Sequence, residues 1–123
     1  MKRAGLPTLA VAVATVAVLG LPAVPSDGSQ SSVPSVELRA SRGGFRPARL
    51  TLRRGEPVHV VLTSADGEHC FAVDALRIEK RVVAGRPTRF DITPERSGVF
   101  PFHCCLERGA AAERERGELT VSD

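Results

Sequence analysis

Ser97-Gly98-Val99-Phe100-Pro101-Phe102-His103-Cys104-Cys105 is the stretch on which the fold turns. Ser97-Gly98 is a turn signal, and the residues after it read as a strand. Side chains along a strand point to opposite faces in turn. Phe100, Phe102 and Cys104 therefore share one face, and Val99, Pro101, His103 and Cys105 share the other. The phenylalanines mark the core face, so the alternation predicts Cys104 pointing inward at the strand's end. Working back from there, residues 88–92, 78–83 and 71–73 read as further short strands. Residues 58–63 are rich in β-branched side chains and place Val58, Val60 and Leu62 on an apolar face, with His59 directed away. Residues 49–52 follow a turn at Pro47, and residues 36–40 alternate again. Toward the C-terminus, residues 106–116 are rich in Ala, Glu and Arg but interrupted by Gly109, which predicts a loop or a short turn of helix. Residues 117–121 form the last strand. Strands at roughly 8–12-residue spacing predict an all-β sandwich or barrel.

The chain of 123 residues is long enough for one domain. Its core residues are mostly Val, Leu and Ala, with five Phe and no Trp or Tyr, so the core is small. The formal charge is +3. Setting aside Lys2 and Arg3 leaves 15 basic against 14 acidic residues, a near balance. The basic residues are scattered among Glu and Asp with no basic stripe, which argues against nucleic acid as a partner.

The N-terminus has a charged start, Met1-Lys2-Arg3, and an apolar run over residues 6–24, followed by the polar Ser26-Asp27-Gly28-Ser29-Gln30-Ser31-Ser32. That is the layout of a secretory signal, with Ala23 as a cleavage position. The run is also close to the ~20 residues that span a bilayer, so an uncleaved anchor helix is the alternative. The organisation expected is a signal peptide or anchor over 1–25, a flexible Ser/Pro/Gly linker over 26–35, and one domain over 36–123. The expected location is periplasmic or otherwise extracytoplasmic, with membrane contact only through an uncleaved N-terminal segment.

Three segments in order carry a resemblance to a family. Phe45-Arg46-Pro47-Ala48-Arg49-Leu50-Thr51-Leu52-Arg53-Arg54-Gly55-Glu56-Pro57-Val58 is similar to an opening "F-x-P-x-x-I-x-V-x-x-G-x-x-V". His69-Cys70-Phe71-Ala72-Val73-Asp74-Ala75-Leu76-Arg77-Ile78 is similar to "H-S-F-x-V-P-x-L-x-I". Thr93-Pro94-Glu95-Arg96-Ser97-Gly98-Val99-Phe100-Pro101-Phe102-His103-Cys104 is similar to "T-x-x-x-x-G-x-Y-x-x-x-C". Together they resemble the periplasmic copper domain of cytochrome c oxidase subunit II and its cupredoxin relatives. The resemblance implies a cupredoxin-like Greek-key β-sandwich behind the N-terminal signal or anchor helix, with His69 and Cys104 as copper ligands. The family continues as "C-x-x-x-C-G-x-x-H-x-x-M-x-G". Here Gly109 and Gly117 fall in place, but Arg108, Ala112 and Glu115 stand at the second Cys, the His and the Met. A dinuclear copper centre needs two bridging thiolates and two imidazoles, so the resemblance does not carry over to that centre.

What remains is two clusters, His69-Cys70 and His103-Cys104-Cys105. Thiolate with imidazole suits copper or zinc. The expected cofactor is copper, held by His69 and Cys104, with Cys105, His103 or Glu115 completing a mononuclear site for electron transfer or copper handling with a redox or copper-delivery partner. The competing reading is a metal-free cupredoxin acting as a structural or interaction module. In it Cys70 and Cys105, each following a position that converges on the metal, form a disulfide. A third reading is a subunit II-like component of a terminal oxidase. The sequence offers no catalytic residue. His103 and Cys104 are adjacent on a strand and point apart, and no phosphate-binding Gly-rich loop or G-x-S-x-G is present.

Overall fold

A computed structural model describes residues 3–5, 7–23 and 32–123. Among the described residues, nine strands make two sheets. They are β1 (Ser35–Ser41), β2 (Gly44–Arg46), β3 (Arg49–Arg53), β4 (Val58–Ser64), β5 (His69–Val73), β6 (Ile78–Val82), β7 (Thr88–Ile92), β8 (Gly98–His103) and β9 (Arg116–Ser122). A single 3-10 turn covers Asp74–Leu76, and the only α-helix among the described residues, α1, is the five-residue Ala110–Arg114. One sheet has the order β2-β1-β4-β7, the other β3-β9-β8-β5-β6. β1 pairs parallel with β4 and β3 parallel with β9; the remaining ladders are antiparallel.

The alternation read in the sequence appears as burial. Val58, Val60 and Leu62 of β4 are buried between residues that are only half-buried. Leu50 and Leu52 of β3, Phe90 and Ile92 of β7, and Leu119 and Val121 of β9 fill the same interior. A sandwich stabilises by closing two such faces on one another. At its centre Phe45 meets Phe102 edge-on at 5.2 Å, and Phe71 lies 5.1 Å from Phe102, separations at which aromatic pairs gain beyond area burial alone. β5 differs from the other strands: all five of its residues are buried, because both of its faces are covered.

Two glycines set the approach to the far end of the sandwich. Gly44 has φ +121°, and a Cβ there would sit 2.7 Å from the Arg114 carbonyl oxygen. This brings β2 directly under the end of α1. A Cβ at Gly117 would overlap the Phe102 ring and the Ala48 carbonyl, so β9 can lie flat on the core only without a side chain at that point.

The structure departs from the sequence reading at one place and leaves another without support. β2 was not expected; three residues are too few to show a period. The N-terminal signal or anchor helix is not shown: residues 7–23 carry no helix or strand and lie exposed. No helix among the described residues is long and apolar enough to cross a membrane. Most of the 26–35 linker lies outside the described residues.

Candidate metal centre

The site is built where β5 begins and β8 ends. Ser64 and Asp66 shape the turn into β5: Ser64 Oγ donates to the Gly67 carbonyl at 2.6 Å, and the Asp66 N–H meets Ser64 Oγ at 3.3 Å. This turn delivers His69 to the first position of β5, side chain inward. β8 ends at His103, and the next residue, Cys104, keeps the inward parity of Phe102. Its N–H donates to the Glu115 carbonyl at 3.1 Å, closing the 104–115 loop at its base. α1 then returns the chain so that Glu115 points into the same space.

His69, Cys104 and Glu115 thus converge, with one ligand-type atom from each lying within 4.8 Å of the others. His69 and Glu115 are each 1% exposed and Cys104 is 0% exposed. His69 Nδ1 is 3.3 Å from Glu115 Oε2. His69 Nε2 is 2.6 Å from Asp66 Oδ1. Asp66 also accepts the Arg42 N–H, at 3.1 Å and 3.3 Å to its two oxygens. These bonds, the Arg42 N–H first and the His69 ring second, hold the Asp66 carboxyl below its usual value. With Nε2 held against the Asp66 carboxylate, Nδ1 is the ring nitrogen turned toward Cys104 and Glu115. A carboxylate behind a histidine in this way is the usual device for aiming an imidazole at a metal.

Cys104 Sγ accepts the Cys70 N–H at 3.3 Å. Burial pushes its thiol up, and the hydrogen bond to Glu115 pushes in the same direction, against the lowering effect of the Cys70 N–H. A buried carboxylate is costly unless paired, and among the described residues the polar side chains that meet Glu115 are His69 and Cys104.

This donor set fits a copper ion. It offers one nitrogen, one sulfur and one oxygen, with no fourth donor in the cluster among the described residues. Bonds of about 2.0–2.3 Å put the donors of a shared ion some 3.3–3.7 Å apart, so closure needs movements of about an ångström from the separations present. No second imidazole is at hand, which leaves the set one ligand short of the two-histidine, one-thiolate pattern of blue-copper centres.

The other residues singled out in the sequence lie elsewhere. Cys105 is bonded to Cys70, with Cα atoms 5.3 Å apart, so its sulfur has no thiolate to give. His103 points to the opposite side of β8 from Cys104 and meets Asp74 Oδ2 at 3.0 Å. His59 pairs with Asp91 at 2.7 Å on the outside of the other sheet. Asp66 was read only as part of a turn; its place three residues before His69 was the available signal. A surface depression bordered by Leu76, Arg77, Pro94 and Arg96 includes none of the three converging residues.

Comparison with known proteins agrees with this architecture. Over 72 residues, 58% of this chain, it is 39% identical to the alternative cytochrome c oxidase subunit 2 of Bradyrhizobium diazoefficiens; the match spans 26% of that protein's length. The fold resembles the periplasmic domain of subunit II of cytochrome oxidase from Bradyrhizobium japonicum, with a TM-score of 0.64 and 14% identity, covering 73% of this chain and 84% of that one. It also resembles the metal binding domain of the Cu(I) exporting P-type ATPase of Streptococcus pneumoniae, with a TM-score of 0.61 and 18% identity, covering 72% of this chain and 85% of that one. Residues 9–121 match the family described as the cupredoxin-like domain. Sheet order, core and this match agree, and the chain belongs to the cupredoxin-like family.

Proposed function

We propose that this protein is an extracytoplasmic copper-binding cupredoxin that holds a single copper ion through His69, Cys104 and Glu115, for electron transfer or copper handling with a redox or copper-delivery partner. The observation that carries the reading is the convergence of three buried donor groups at one end of the sandwich. Imidazole, thiol and carboxylate together make a donor set that suits a soft or borderline cation such as copper. The apolar N-terminal run and the Cys70–Cys105 bond favour a location outside the cytosol, where disulfides persist.

Copper supplies a one-electron couple when bound. The chain's own residues do the rest. Asp66 holds Nε2–H and so keeps Nδ1 free as a donor. Cys104 gives up its proton, which burial otherwise retains, so uptake of the ion releases a proton. The Cys70 N–H remains on the sulfur and stabilises it as a thiolate. Glu115 brings the one carboxylate of the trio, an oxygen donor 3.3 Å from His69 Nδ1.

The test is copper titration of the purified full-length chain, in both oxidation states. One equivalent should bind, with thiolate-to-copper absorption that Cys104→Ser abolishes. No binding in either state removes the proposal. A metal-free sandwich is the second reading, favoured by the disulfide and by the absence of unpartnered buried side-chain atoms among the described residues. It requires copper to leave the melting temperature unchanged. A subunit II-like place in an oxidase rests on the Bradyrhizobium relative and would require the chain to copurify with a membrane haem protein.

A further inference from the structure

The Cys70–Cys105 bond lies on the outer face of the five-stranded sheet, directly behind the converging trio. Cys70 follows His69 on β5 and so takes the opposite face, and the bond holds Cys105, in the turn after β8, on that face. Cys70 is fully buried, whereas Cys105 is half-buried and within reach of solvent. On the next strand Glu79 pairs with Ala72, on the same outer face. Its Oε1 lies 3.6 Å from Cys105 Sγ. One ligand-type atom from each of Cys70, Cys105 and Glu79 lies within 4.8 Å of the others. Arg81, opposite Cys70, is taken up by Glu68 at 3.5 Å, which leaves the Glu79 carboxylate free.

We propose that reduction of the Cys70–Cys105 disulfide opens a second metal site, in which the two thiolates and Glu79 hold one thiophilic cation on the outer face of the sheet. The proposal does not depend on copper binding at the trio. A dithiol reductant attacks the accessible Cys105 sulfur. Its two S–H groups close to a disulfide while the Cys70–Cys105 bond opens to two thiols, so two electrons and two protons pass to the protein. Binding of the cation then forms two sulfur–metal bonds, and the two thiol protons leave to water. The geometry allows this with little backbone movement. Sulfurs bound to one ion at about 2.3 Å stand some 3.7 Å apart in tetrahedral geometry, and backbones already 5.3 Å apart at Cα reach that by side-chain rotation. Two thiolates with a carboxylate select soft or borderline ions over magnesium or calcium.

The experiment is an anaerobic cadmium(II) titration of the full-length chain, oxidised and after phosphine reduction with the phosphine removed. Reduced protein should take up one equivalent more than oxidised protein, with new ultraviolet thiolate-to-cadmium absorption. Whatever the trio binds appears in both samples and subtracts out, so zero uptake by the oxidised chain tells against the trio alone. Cys70→Ala with Cys105→Ala should return the reduced count to the oxidised one. Glu79→Gln should keep the extra ion but weaken it at least about tenfold, the lower end of what losing even an outer partner costs. Equal counts before and after reduction, or an extra ion that survives the alanine pair, overturn the proposal. If reduction unfolds the sheet by ellipticity, cadmium must restore it; failure to do so overturns the proposal equally.

Discussion

Replacing Cys70 and Cys105 together by alanine cuts the one covalent link between β5 and the loop after β8. The residues are 35 apart in sequence. Loop-closure entropy of −2.1 − 1.5R ln n cal/mol/K then assigns the bond about 3.8 kcal/mol at 25 °C. Small domains hold only about 5–15 kcal/mol in all, so the variant should fold but lose a large share of its margin. For a domain of this size each kcal/mol is worth roughly 4–8 °C, and the melting temperature should fall by roughly 15–30 °C. Far-ultraviolet ellipticity through urea and heat, on three samples, reads this out: native chain, native chain after reduction, and the variant. The last two should unfold together, and reductant should leave the variant unmoved. A loss below about 1 kcal/mol, or three titratable thiols in native protein, would refute the reasoning.

Gly117→Ala forces a methyl into the Phe102 ring and the Ala48 carbonyl. The carbonyl cannot swing away, so a loss of at least about 1–3 kcal/mol is expected by urea unfolding. Asp66→Asn withdraws the carboxylate behind His69, which should weaken copper about 10–100-fold in a chelator competition while leaving the stoichiometry at one. Cys104, whose thiol burial pushes up, keeps a proton that the unfolded chain loses above about pH 8.5. The native state therefore binds more protons in that window, and stability present at pH 7 should decline as pH rises past it. With no Tyr and only Lys2 and Lys80 as lysines, few other side chains titrate there, and Cys104→Ala should flatten the urea midpoint between pH 7 and pH 10.

Much of the fold was legible because its strands alternate cleanly. Parity alone placed Cys104 inward beside Phe102 and His59 outward on β4, and both lie so. β2 was not legible, since its three residues show no period and it is held by pairing with β1 across the turn at residues 42–43. The approach of Glu115 to His69 across 46 residues was reachable only by laying a family pattern over the loop. The sequence reading set a Cys70–Cys105 bond against a metal site as alternatives. The structure carries the bond and the converging trio together, because neighbouring residues on a strand serve opposite faces. Asp66 escaped notice because an Ala-Asp-Gly turn explains itself without a second duty for its carboxylate.

β9 lies between β3 and β8, with Leu119 opposite both Leu50 and Phe100. The last strand in the sequence is thus an interior strand of the larger sheet. Until residue 116 and those after it are available, β3 has no neighbour in that sheet and β8 has an open side. The earlier residues therefore cannot reach the finished sandwich by themselves, and pairing across such sequence distances is slow to nucleate. During synthesis the chain would stay unlatched until residues 116–122 emerged, with its sulfurs apart and the loop that presents Glu115 unanchored.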